Sequence, residues 1–245
     1  MLVADHLVKE FGGLRAVDDV SFSLERGEVL GFLGPNGAGK TTTMRMLAGC
    51  LESDSGSARI AGHDCVQDRI EAQSRLGYLP EGAPAYPAMT PRAFVAFGLQ
   101  VRGFTGDALK RATELALDRA RLGAAASQPI GTLSKGYKRR AALAAAIAHD
   151  PAVLILDEPT DGLDPNQKDG VRDLIREMAP EKAIIISTHI LDEVPAVCSR
   201  AIIIAQGRLL FDGPPHALER LTPDGTIEAA FRHLTAGPRP LGEAA

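Results

Sequence analysis

The chain has 245 residues, 45% hydrophobic and 24% charged, and its 27 basic and 31 acidic side chains leave a formal charge of −4. A chain of this length buries an ample core without staples, so the composition excludes a fibrous or disulfide-stapled secreted protein. The acidic balance argues against a nucleic-acid binder that reads only the phosphate backbone.

In chain order, residues 2–8, 20–24 and 59–61 read as short β-prone pieces, with turns at Gly12-Gly13 and Arg26-Gly27. Val29–Leu33 is an apolar strand that runs into a glycine-rich loop, followed by helix-forming residues 41–49. From Thr90 the texture changes. Thr90 and Pro91 suit an N-cap and first helical position, predicting a helix over 90–102. A second helix is expected over 107–122, with Leu109, Ala112, Leu115, Ala116, Ala120 and Leu122 on its apolar stripe, and a third over 137–149, stopped at Asp150-Pro151. Strands at 153–156, Ala183–Ser187 and 201–205 then alternate with a helix at 166–178. Continuously apolar strands alternating with helices imply a buried parallel sheet, hence an α/β fold.

The longest apolar run, 141–148, falls far short of the about 20 residues that cross a bilayer. Residues 1–6 show no export signal. Cys50, Cys65 and Cys198 lack metal-ligand spacing and read as buried, reduced thiols of a cytosolic protein, and the tail 236–245 reads as disordered.

Gly34, Pro35, Asn36, Gly37, Ala38, Gly39, Lys40 and Thr41 form a phosphate-binding loop, with Thr42 following in the helix. The glycines let backbone N–H groups wrap a polyphosphate, and the helix behind them adds its positive end. Lys40 suits the β/γ oxygens and the Thr41 hydroxyl suits a magnesium ion. The strand at 153–156 ends in Asp157 and Glu158, a pairing suited to holding magnesium through water and polarising an attacking water. His189 follows the next strand. In a parallel sheet all three features fall on the carboxyl edge, where such sheets bind ligands. Ser134 and Gly136, in the stretch Leu133 to Arg140, offer a second helix N-terminus suited to phosphate, while Lys138 and Arg139 read equally well as a solvated basic face.

Taken together these motifs resemble an ATP-binding cassette (ABC) ATPase over residues 2–235, in family order. The loop at 34–41 is similar to Walker A, Leu133 to Tyr137 to the signature, Asp157-Glu158 to Walker B, Asp161 to Asp164 to the D-loop and His189 to the switch histidine. The resemblance implies a P-loop NTPase with a mostly parallel central sheet, an N-terminal antiparallel β subdomain and an inserted helical lobe. It divides the chain into a core, 2–81 and 151–235, and a lobe, 82–150. It implies ATP and Mg2+, with Glu158 and His189 catalytic, Phe11 and Val17 at the adenine, and Thr41, Glu81 and Asp157 at the metal. Ser134 and Gly136 would meet nucleotide in trans, with Asp164 in the D-loop.

Glu81 stands where the family usually has glutamine, and Lys135 and Tyr137 where glycine and glutamine are commoner. These variants are similar to ABC-2 exporters of the gliding-motility and multidrug types. That likeness implies a homodimer closing over two ATP, a permease on a separate chain meeting Tyr86, Phe94 and Phe97, no nucleic-acid partner, and a place on the inner face of the cell membrane. Phe94 and Phe97, three apart on one helix, read equally well as core of the helical lobe. A soluble ABC-type ATPase of DNA repair, chromosome organisation or translation is the alternative, although such relatives usually carry coiled coils, zinc cysteines or paired cassettes.

Overall fold

Strand residues that are apolar at every position must have a hydrophobic partner on both faces. The computed structural model, which describes residues 1–236, supplies those partners. The expected disorder of the tail from 237 onward lies outside the described residues.

The elements, in chain order, are β1 (Leu2–Phe11), β2 (Leu14–Leu24), β3 (Val29–Leu33), α1 (Lys40–Leu47), β4 (Ser55–Ile60), β5 (His63–Asp64), α2 (Arg69–Ser74) and β6 (Leu76–Leu79). Then come α3 (Pro91–Val101), α4 (Gly106–Arg119), α5 (Lys135–Ile147), β7 (Val153–Asp157), α6 (Pro165–Met178), β8 (Ala183–Ser187), α7 (Val194–Val197), β9 (Arg200–Ala205), β10 (Arg208–Gly213), α8 (Pro215–Glu219) and α9 (Ile227–Thr235).

A six-stranded sheet in the order β10-β9-β3-β8-β7-β6 forms the centre; β6, β7, β8, β3 and β9 run parallel and β10 closes one edge antiparallel. Side chains alternate between its faces. Leu30, Phe32, Val153, Ile155, Ala183, Ile185, Ile202 and Ile204 pack toward α1 and the N-terminal sheet. Leu154, Leu156, Ile184 and Ile186 pack toward α5 and α6. Each Val, Leu, Ile or Phe side chain so removed from water contributes roughly 1.5–3 kcal/mol.

The N-terminal sheet has the order β2-β1-β4-β5 and is antiparallel throughout, as the resemblance implies. Helices α3, α4 and α5 enclose a core of their own, including Val95, Leu99, Leu117, Leu122, Ile130 and Ala144. Thr90 caps α3 by accepting from the Ala93 N–H at 3.1 Å. No helix among the described residues is long and apolar enough to cross a membrane.

Several expectations need correction. Helix α4 stops at Arg119, not 122, and Leu115 on its supposed buried stripe is exposed. Cys50 is exposed, against a buried Cys65 and a partly buried Cys198. Strand β6 pairs in parallel with β7, although Leu76, Gly77, Tyr78 and Leu79 give too short a run to read as a sheet strand.

Candidate functional site

The phosphate loop leaves β3 and enters α1 at Lys40. Gly39 sits at φ 104, and a Cβ there would lie 2.3 Å from the Ala16 carbonyl oxygen, so only glycine fits. The loop is braced from outside: the Gly207 N–H donates to Ala38 O at 3.0 Å, and the Asp18 N–H donates to Gly207 O at 2.9 Å. Lys40, 8% exposed, donates to the carbonyl oxygens of Gly34 at 2.7 Å and Pro35 at 3.1 Å. Burial pulls its ammonium below the ordinary lysine range, opposed by the charges of Glu158, Asp157 and Glu81. Three carboxylates therefore face the one lysine of the loop. Thr41 and Thr42 occupy the first turn of α1 behind it.

Asp157 ends β7 and pairs in register with Ser187 at the end of β8. The Ser187 hydroxyl donates to Asp157 Oδ1, whereas Asp157 Oδ2 is buried with no partner. A buried carboxylate oxygen left free is costly unless something meets it. Glu158 has φ 52, rare for a residue with a side chain. Its N–H donates to Ser187 O at 3.1 Å and Ser187 Oγ at 3.0 Å. Its Oε2 lies 2.8 Å from His189 Nδ1. The shared edge thus brings together the phosphate loop, Asp157, Glu158 and His189.

Ser134 caps α5 by accepting from the Tyr137 N–H at 3.4 Å. Gly136 is buried, and a Cβ there would collide with the Gln167 side chain, so its close approach within the chain is to α6. The reading of Arg139 as solvated is overturned: it is 3% exposed, its Nη2 lies 3.5 Å from Asp161 Oδ2, and Nη1 is buried without a partner. Lys135 Nζ reaches the same oxygen at 2.9 Å and holds the Asp161 carboxyl below the usual range. Lys135 and Arg139, four apart on α5, share a face that meets Asp161. Glu158, Asp161 and His189 bring one ligand-type atom each within 4.8 Å of one another. Asp161 in that cluster is already paired with two cations. Asp164 caps α6 by accepting from the Gln167 N–H at 2.9 Å.

Phe11 is exposed at the end of β1, with Lys9 Nζ 5.6 Å from its ring centroid. Val17 is fully buried beneath Gly39, so it supports the loop and presents no surface of its own. Tyr86 meets Phe94 and Phe97 edge-on, with centroids 6.0 and 5.9 Å apart. These three line a groove of about 410 Å³ with Tyr78, Pro84 and Val101. Phe94 also packs against the core of the helical lobe. Sequence reasoning missed Ser187 as the partner of Asp157; the signal available was a lone hydroxyl ending an otherwise apolar strand.

A profile of the ABC transporter family matches residues 17–161. The Nod factor export ATP-binding protein I of Burkholderia orbicola (strain AU 1054) is 38% identical over 211 residues, covering 86% of this chain and 69% of that protein. A solved ATP-binding subunit of an ABC transporter aligns with TM-score 0.87 at 25% identity, covering 96% of this chain and 99% of that one. A dimeric ATP-binding cassette in a post-hydrolysis state, bound to ADP and Pi, aligns with TM-score 0.80 at 21% identity, covering 87% of this chain and 98% of that one. The phosphate loop, the carboxylate edge and these likenesses lead to one conclusion: the chain belongs to the ABC transporter family and is an ATP-binding, ATP-hydrolysing subunit of it.

Proposed function

We propose that this subunit powers export through a separate permease of the ABC-2 type, and that residues 2–235 form one ATPase unit. In this reading 2–81 and 151–235 are its core and 82–150 its helical lobe. The relative named for Nod factor export supports the direction. The observation that carries the site is the convergence of Lys40, Asp157, Glu158 and His189 on one sheet edge.

Lys40 and the N–H groups of Gly34, Pro35, Asn36, Gly37, Ala38 and Gly39 hold the phosphates, with Thr41 and Thr42 closing the cradle. The free Oδ2 of Asp157 fits a magnesium site, because it is buried, anionic and without a partner. Thr41, Asp157 and Glu81 would hold the ion, which when bound neutralises charge on the phosphate oxygens. Glu158 takes the proton of the attacking water. His189 lies against Glu158 through Nδ1, and its other nitrogen would serve the terminal phosphate. Phe11 stacks on adenine above the support given by Val17.

One chain carries one phosphate loop and one signature, so Ser134 and Gly136 of each protomer cover the nucleotide of its partner, with Asp164 near the seam. The solved cassette with ADP and Pi is itself a dimer. Tyr86, Phe94 and Phe97 receive the permease, which holds the subunit at the inner face of the cell membrane.

The test is E158Q. Hydrolysis falls about 10²–10⁴-fold, as for loss of a general base, while ATP is still bound and gel filtration shows an ATP-dependent dimer. Full hydrolysis by E158Q sinks the site assignment, and an ATP-loaded monomer sinks the dimer.

A further inference from the structure

A carboxylate enclosed by protein must be matched by donors or cations, because an unmatched one costs several kcal/mol. Glu193, 5% exposed, is matched in a specific way. Its Oε2 accepts from Thr160 Oγ1 at 2.8 Å and lies 3.5 Å from Thr188 Oγ1. Its Oε1 lies 3.0 Å from Arg172 Nη2 and 3.8 Å from Lys168 Nζ, both on α6. One oxygen faces two loops and the other faces one helix.

The two loops are those that carry the reacting pair. Thr160 is two residues past Glu158, and Thr188 immediately precedes His189. Both threonines are buried. The chain returns to deliver this carboxylate by a single turn, in which the Glu193 N–H donates to Ile190 O at 3.1 Å and the Ile190 N–H donates to Thr188 Oγ1 at 3.0 Å. Glu158 meanwhile holds φ 52, a strained state that persists only where its surroundings over-determine it. Its own N–H is fixed to Ser187 and its carbonyl oxygen accepts from the Asp161 N–H at 3.2 Å, and within that turn the Thr160 hydroxyl is tied to Glu193.

We propose that Glu193 is a positioning residue for ATP hydrolysis: through Thr160 and Thr188 its single carboxylate sets the loop of Glu158 against the loop of His189. Without it the 2.8 Å contact between Glu158 and His189 keeps only the backbone tie to Ser187, and the two loops beyond their strands lose the side chain that joins them. A misplacement of about 1 Å at a reacting group costs on the order of 10²-fold in rate. The inference rests on the reading that Glu158 and His189 act at the terminal phosphate.

The test compares E193A, T160V, the combined E193A/T160V, T160V/T188V and E158Q in turnover, half-saturating ATP and melting temperature. E193A should lose about 10-fold or more in kcat with half-saturating ATP little changed, since the phosphate loop is untouched. T160V should lower kcat in the parent and add nothing in E193A, because both act through one contact. T160V/T188V leaves the Glu193–Arg172 pair in place but strips Oε2 of its hydroxyls, so it should lower the melting temperature and, assayed below that temperature, slow turnover with half-saturating ATP little changed; it stands in if E193A fails to fold. The proposal is overturned if E158Q is inactive while E193A or T160V/T188V turns over like the parent, or if the E193A and T160V losses multiply in full. An active E158Q instead overturns the assignment of Glu158 beneath it.

Discussion

His149 lies just beyond the end of α5, beside the start of β6, with Nε2 3.0 Å from the Leu76 carbonyl oxygen. Burial, joined by the charge of Arg102, lowers its pKa from 6.5 to about 4, against a smaller opposing pull from the Leu76 carbonyl. The folded chain therefore keeps this imidazole neutral while the unfolded chain protonates it below pH 6.5. Between pH 6.5 and about 4 the unfolded state binds the extra proton, so stability falls as pH falls, and the loss is complete below the folded pKa. A depression from 6.5 to about 4 is worth about 3 kcal/mol, of which about 2–3 is already lost at pH 4.5. That is a large share of the 5–15 kcal/mol typical of a folded domain. Gln at this position keeps a donor for Leu76 O and removes the titration. Urea unfolding of the parent and H149Q, from pH 8 to 4.5, should give curves that converge on acidification: the variant loses less stability, by about 2–3 kcal/mol. Parallel curves across that range would refute the reasoning, since His149 is the titrating group that the substitution removes.

Two further expectations follow from local geometry. In G77A the new Cβ would sit 2.3 Å from Ala146 O and 2.6 Å from Leu154 Cδ2, and a backbone oxygen cannot turn aside. The substitution should destabilise by about 1–3 kcal/mol in denaturant melts, and an unchanged midpoint would mean that β6 does not lie so close to α5. In Y86D a carboxylate replaces a ring that is 54% exposed and meets two others edge-on, so folding should lose only about 1–3 kcal/mol. Transport should stop while ATP binding persists, and normal transport would count against the groove as the permease contact.

What could be read in advance was what acts locally along the chain. Val29–Leu33 throughout, and Ala183–Ser187 up to its closing serine, are apolar because they are covered on both faces, and their bounds coincide with the observed strands. Thr90 and Ser134 announce their helices because a cap works within three residues. The sequence marks the hairpin of β1 and β2 as shorter than it is, since its register shifts, with His6 and Asp19 at positive φ, break the alternation that marks a strand.

The contacts that fix the site span longer separations: Lys135 meets Asp161 across 26 residues, and Thr160 meets Glu193 across 33. Nothing in Leu191, Asp192 and Glu193 marks the last as buried, because its burial depends on where two other loops end. Those loops end where they do because Asp157 pairs with Ser187 in the sheet. A slip of one residue would turn Asp157 to the opposite face and carry Glu158 away from His189. Both faces of β7 and β8 are apolar, with Val153 and Ile155 beside Ala183 and Ile185 on one side and Leu154 and Leu156 beside Ile184 and Ile186 on the other. Because both faces are apolar, the hydrophobic pattern alone tolerates that slip; the Ser187 hydroxyl on Asp157 is the polar contact that does not. The expected consequence is that the residue which missed notice in the sequence, Ser187, contributes to specifying the register on which the recognisable carboxylates depend.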